Sequence, residues 1–257
     1  MAKYLMELET ILEDSKIVQS NSQVRLSMTS KNGLTARLAN MSGSSTKAIA
    51  SAQSRRRSAN NLKQLGLAML NYESAYKKLP AAIQIGPKDV PHSWRVTVLP
   101  YLEQSKLYEK YQMAESWDSE ANAEILKQMP EVFGDSATGE TGYRVLISPV
   151  QKAGAVFSSE PAKSGPTFAG ITDGTSNTIC IVESVNTVPW TKPEGILFDP
   201  PGVPLQVSDI NPKGFNVVLV DCSVRFVPPN ISPEILNAII TKNGDEFVGT
   251  DNLKEVR

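Results

Sequence analysis

Side chains able to attack, ligate or shuttle protons are few in kind here. The 257 residues hold one histidine, His92, and two cysteines, Cys180 and Cys222, beside 27 acids and 26 lysines and arginines. A nucleophile triad needs a base, usually histidine, held against serine or cysteine. His92 stands between Pro91 and Ser93, a setting that reads as a loop and gives it a surface or capping role. One histidine and two distant cysteines do not fill a zinc site, so no metal or cofactor is expected. Asp173-Gly174-Thr175-Ser176-Asn177-Thr178 has neither the lysine of a phosphate loop nor the carboxylate spacing of an EF-hand. It reads as a turn whose side chains bond the local backbone. Nothing singles out two of the acids as a glycosidase pair. No catalytic residue is assigned, and the expectation is a protein that is not an enzyme.

Binding is the other chemistry to weigh. Trp94, Trp117 and Trp190 could line a sugar or peptide site, because aromatic rings give large rigid contact area. With Asp173 and Asn177 they form the candidate ligand-binding set, against the plainer reading of core or lid tryptophans and a turn. Arg55-Arg56-Arg57 spread around a helix and form no single groove. With a net charge of -1, nucleic acid is not an expected partner. No stretch approaches the roughly 20 apolar residues of a membrane span.

The elements that would position these residues follow from periodicity. Residues 1–15 read as a helix, and Lys16–Val18 and Gln23–Thr29 as short strands closed by a turn at Lys31-Asn32-Gly33. Gly43-Ser44-Ser45 reads as a hinge. From there Ala59, Leu62, Leu65, Met69, Tyr72, Tyr76 and Leu79 trace one stripe along a helix running from Thr46 to Pro80. Gly66 inside it costs about 1 kcal/mol against alanine, which implies something packed close by. Trp94–Leu99 is a strand or short helix. A helix over Tyr101–Tyr111 starts behind Pro100, and another, capped by Asp118 or Ser119, runs through Met129. Tyr143–Ile147 and Thr178–Glu183 read as strands, and Phe215–Val220 with Ser223–Val227 as a hairpin. Ser232-Pro233-Glu234 opens a last helix that buries Ile235, Leu236, Ile239 and Ile240 and ends at Asn243-Gly244. Cys180 and Cys222 fall in apolar runs and read as buried free thiols, with one bridge between strands as the alternative. The expected fold class is α+β: a long helix packed on an antiparallel sheet, with extra short helices and a C-terminal helix.

Six ordered segments carry a resemblance. They are Ser54 through Ala68 with Asn71-Tyr72; Ser93-Trp94-Arg95-Val96 with Leu99-Pro100-Tyr101-Leu102-Glu103-Gln104; Trp117-Asp118-Ser119; Ile171 through Thr178; Val188-Pro189-Trp190-Thr191-Lys192-Pro193; and Asp221-Cys222-Ser223-Val224-Arg225-Phe226. Together, over about 46–248, they resemble the planctomycete type IV pilin-like domains of unknown function, also carrying a bacterial solute-binding label and a prepilin-processing-associated C-terminal piece. The resemblance implies a pilin- or pseudopilin-like fold and an extracytoplasmic or cell-envelope setting if the chain is part of a longer exported protein. Two features depart from it. The prepilin leader is not seen, and an Asp-Gly pair preceded by histidine is here Asp221-Cys222 without the histidine. The expected domains are 1–45, as the tail of a preceding module or an extension, and 46–257. The expected role is a structural or interaction module, monomeric or weakly oligomeric, meeting an unknown protein or cell-surface component; a solute- or glycan-binding protein is the alternative.

Overall fold

The computed structural model describes residues 15–20, 23–28, 34–134, 136–149, 154–199, 207–245 and 253–255. The helix expected over 1–15 and the turn at 31–33 fall almost wholly outside them. The chain divides into two compact units, 1–54 and 55–257.

In the first unit, Ser15–Ser20 (β1) and Gln23–Met28 (β2) pair as an antiparallel hairpin with Ser20 opposite Gln23, matching the alternation of apolar residues there. Helix α1 spans Leu34–Tyr76 and runs through Gly43-Ser44-Ser45, where a hinge was expected. A lone glycine lowers helix stability by about 1 kcal/mol without ending the helix, and no proline stands near it.

In the second unit the stripe of α1 is buried as expected: Leu62, Leu65 and Met69 are inaccessible and Tyr72 nearly so. Tyr76 is a correction, being 61% exposed. The helix ends at Tyr76 because Lys77 turns left-handed (φ 58°), while Leu79 leaves the helix and donates its N–H to Pro166 at 2.9 Å. No helix among the described residues is long and apolar enough to cross a membrane.

The stripe meets an antiparallel sheet of order β12-β11-β10-β8-β5. Its strands are Glu140–Arg144 (β5), Ile179–Pro189 (β8), Phe215–Leu219 (β10), Val224–Val227 (β11) and Lys254–Glu255 (β12). Val218, Ile181 and Tyr143 join the core of α1, whereas Val217, Leu219 and Val182 join a second core with Leu236, Ile239 and Ile240. Those three lie on Pro233–Ile240, the last helix, opened by the Ser232 hydroxyl accepting from the Ile235 N–H at 3.3 Å. Alternate residues thus face opposite layers, and both faces of the sheet are covered. The last helix stops before Asn243-Gly244 because Thr241 is drawn into a bridge with Ala155.

Gly66 explains how closely helix and sheet approach. A Cβ there would lie 2.8 Å from Val218 Cγ2 and 3.0 Å from Cys222 Sγ. Both cysteines are free and buried. Cys222 adopts φ 68° in the β10–β11 turn, a left-handed conformation that glycine takes freely.

Two expected elements are divided. Tyr143–Ile147 splits at Val145 between β5 and Leu146–Ser148 (β6), and β6 pairs in parallel with Phe157–Ser158 (β7) and Ile196–Leu197 (β9). The stretch from Leu99 is a 3-10 turn through Leu102, a left-handed Glu103 (φ 60°) and then a short helix, Ser105–Lys110. Trp94–Thr97 is helical (α2), after a small hairpin of Ile83–Ile85 (β3) and Pro91–Ser93 (β4). The Ser105–Lys110 helix is α3, and Glu120–Leu126 is α4. Ser119 precedes α4 without a side-chain capping bond, and Asp118 accepts from Ser116 instead.

Candidate functional site

The structure disperses the residues expected to bind a ligand. Trp94 and Trp190 have no exposed surface. Phe133 lies between them, edge-on to Trp94 at 6.4 Å and stacked on Trp190 at 5.6 Å, and the Trp190 indole donates to the Leu126 carbonyl at 2.9 Å. This places the two indoles in the core. Trp117 is half-buried in the loop before α4. Asp173 and Asn177 do come together, as the turn predicts: Asn177 Nδ2 donates to the Asp173 carbonyl at 3.0 Å. The Asp173 carboxylate accepts backbone N–H groups from Gly244 at 2.7 Å and Asp245 at 3.3 Å, anchoring the chain beyond the last helix.

His92 is a second correction. It lies fully buried in β4 rather than on a loop surface. Its Nε2 faces the Met113 carbonyl at 2.8 Å, and its Nδ1 faces the Tyr111 hydroxyl at 3.0 Å. A carbonyl only accepts, so Nε2 carries the proton and Nδ1 accepts from the phenol. Burial pulls the imidazole below its ordinary pKa, opposed by the Met113 bond. Gly86 sits over this ring, where a Cβ would fall 2.7 Å from His92 atoms and from the Met113 carbonyl.

Above that support opens a cleft of about 490 Å³. Tyr72 and Tyr76 enter it from successive turns of α1, their rings 4.5 Å apart and inclined at 38°. Tyr101, from the 3-10 turn, stands edge-on to Tyr72 at 5.9 Å. Tyr108 of α3 and Met113 add a further side, while Gln84, Gly86 and Pro87 form the lip above the hairpin. Burial, and then the neighbouring phenols, raise the pKa of Tyr72, Tyr101 and Tyr108, so all three stay protonated donors. No lining residue is charged. Thr97 also lines the cleft, and its buried hydroxyl has no hydrogen-bond partner. The volume falls within the range usual for small-ligand sites, roughly 300–1,000 Å³.

Residues 52–199 match the model of the family described as Protein of unknown function (DUF1559), which is labelled SBP_bac_10. The chain belongs to that family. The match covers every residue of the tyrosine cleft and ends before the β10–β11 hairpin. No curated protein and no solved structure matches the chain. Two of the segments that carry the resemblance, around Asn71-Tyr72 and Leu99–Gln104, meet at this cleft.

A third such segment, Ser93-Trp94-Arg95-Val96, has a buried task. Arg95 is fully enclosed, donating from Nη1 to the Ser93 hydroxyl at 3.1 Å and the Lys192 carbonyl at 3.4 Å, with its guanidinium 5.1 Å from the Trp94 ring centroid. Burial and the nearby Arg144 pull its pKa down to about 9, while Glu194 opposes them, so it stays cationic at neutral pH. Arg144 pairs with Glu194 at 2.8 Å. Burial opposes ionisation of Glu194, yet Lys192 and Arg144 hold its pKa below the usual range.

The sequence reading missed the tyrosines because Tyr72 and Tyr76 sit in phase with the buried stripe. The available signal was Tyr76 standing one helical turn beyond Tyr72, at the last turn before the chain leaves the helix.

Proposed function

We propose that this DUF1559 chain is a non-catalytic interaction module whose tyrosine cleft holds an uncharged ligand. The observation that carries the reading is the convergence of four phenols on a cleft without a charged wall. Aromatic rings and a few polar groups bind without supplying the paired acid and base that proton-transfer chemistry needs. The single histidine lies beneath the cleft with both ring nitrogens engaged. The solute-binding label of the family favours the same reading. A pilin-like plan in the cell envelope, with a protein or surface component as partner, belongs to this proposal as well; α1 packed against an antiparallel sheet and the resemblance to planctomycete pilin-like domains support it.

The test is an NMR titration that follows tyrosine ring signals against a panel of neutral oligosaccharides and peptides. Saturable shifts in the native chain that Tyr76→Ala abolishes are expected. Tyr76 is largely exposed, so its truncation spares the core. Silence across the panel overturns the reading, and steady consumption of a bound compound overturns its non-catalytic part.

A further inference from the structure

We infer that the occupant of the tyrosine cleft is a proline-rich peptide segment in the polyproline II conformation, an inference that rests on reading the cleft as a binding site. The hydrogen-bonding inventory points there. Hydroxyls from Tyr72, Tyr76 and Tyr108 supply the side-chain donors, whereas the Tyr101 hydroxyl is hydrogen-bonded to Tyr76 and that of Thr97 is enclosed behind the wall. The one amide, Gln84, is partly engaged: its Nε2 donates to the Lys163 carbonyl at 2.7 Å, and its Oε1 accepts from the Ala81 N–H at 3.4 Å.

A sugar brings hydroxyls that each seek both a donor and an acceptor, usually met by planar carboxylates and amides; a phenol can serve as both only through its single oxygen, and no carboxylate lines this cleft. Each sugar hydroxyl buried here without its full complement would cost about 1–3 kcal/mol. A proline-rich strand makes the opposite demand. Its rings carry no N–H, its carbonyls only accept, and no internal bonds tie them up. A wall of protonated phenols matches that pattern of acceptors.

Shape agrees with the inventory. Tyr72 and Tyr101 meet at 74° rather than lying flat, so the rings make ridges with slots between them instead of a platform for a sugar face. Ridged aromatic grooves seat pyrrolidine rings, and a polyproline II strand arrives already ordered, so an open cleft loses little entropy in holding it. Pro87 and Pro100 on the walls add apolar surface of the same kind.

The experiment titrates the full chain, by calorimetry and by tyrosine ring signals, with an uncharged, end-blocked oligoproline of about ten residues. A glycine–serine peptide of equal length and neutral glucose oligosaccharides serve as comparisons. Saturable oligoproline binding is expected, weakened about tenfold or more by Tyr76→Ala and less by Tyr108→Phe, which keeps the ring and removes the donor. Oligosaccharide binding with oligoproline silent overturns this inference and leaves the cleft as a binding site. Oligoproline binding indifferent to Tyr76→Ala also overturns it. Silence with every probe overturns both readings.

Discussion

The guanidinium of Arg95 straddles the carbonyl oxygen of Tyr143, donating to it from Nε at 3.1 Å and from Nη2 at 2.7 Å. One cation on α2 thereby grips the backbone of β5, an edge of the main sheet, and joins the layer beneath the cleft to it. A planar fork makes this grip, and an ammonium cannot reproduce it. Arg95→Lys is therefore expected to lower stability by about 2–3 kcal/mol, the scale of a lost charge-assisted bond. Urea unfolding at unchanged slope measures it; a loss under about 0.5 kcal/mol, the level of an ordinary surface change, would show the fork to be dispensable.

Gly66 yields a prediction opposed to helix propensity. Alanine in an exposed helix gains about 1 kcal/mol over glycine. Here its methyl would meet Val218 and Cys222, so Gly66→Ala is expected to destabilise by about 1–3 kcal/mol. A thermal melt that rises with this substitution contradicts the close approach of helix and sheet.

His92 makes stability depend on pH. Its folded pKa lies below its unfolded value near 6.5, so the unfolded chain takes up the proton first. The contribution is fully present above about pH 6.5 and is lost as pH falls through the lowered folded value. As the chain has one histidine, His92→Gln is expected to flatten the melting temperature between about pH 7 and pH 5, at some cost in absolute stability. An unchanged slope in that window would assign the dependence to other groups.

Both thiols are expected to resist labelling. Burial raises Cys180, with Cys222 adding to it; burial likewise lifts Cys222 to about 11, although Lys63 opposes the shift. The thiolate is the reactive form. A disulfide reagent at pH 8 should leave the native chain unmodified and titrate two thiols in guanidinium. Fast native labelling of either would refute the burial.

Where a residue's environment is set by near neighbours, the sequence was legible. The stripe of α1, the β10–β11 hairpin and the Ser232 cap follow from spacing and capping alone. The close approach at Gly66 could be anticipated because an interior glycine needs a reason. Distant partners hid the rest. His92 is buried by Tyr111 and Met113, which no local pattern ties to it. Val145 separates two strands because Leu146 pairs with Ile196 and Arg144 with Val182, a choice invisible in one apolar run. The cleft stayed hidden because Tyr101 turns toward Tyr72 only after the helix expected over Tyr101–Tyr111 breaks at Glu103.

Every wall of the cleft comes from the passage between Tyr72 and Met113, whereas the sheet behind α1 is gathered from remote parts of the sequence. The cleft is thus written as one uninterrupted phrase of chain. The distal parts of the chain touch it at separate points: the hidden back of α1, the Arg95 grip on Tyr143, and the bonds from Ile85 and Gln84 to Ala162 and Lys163.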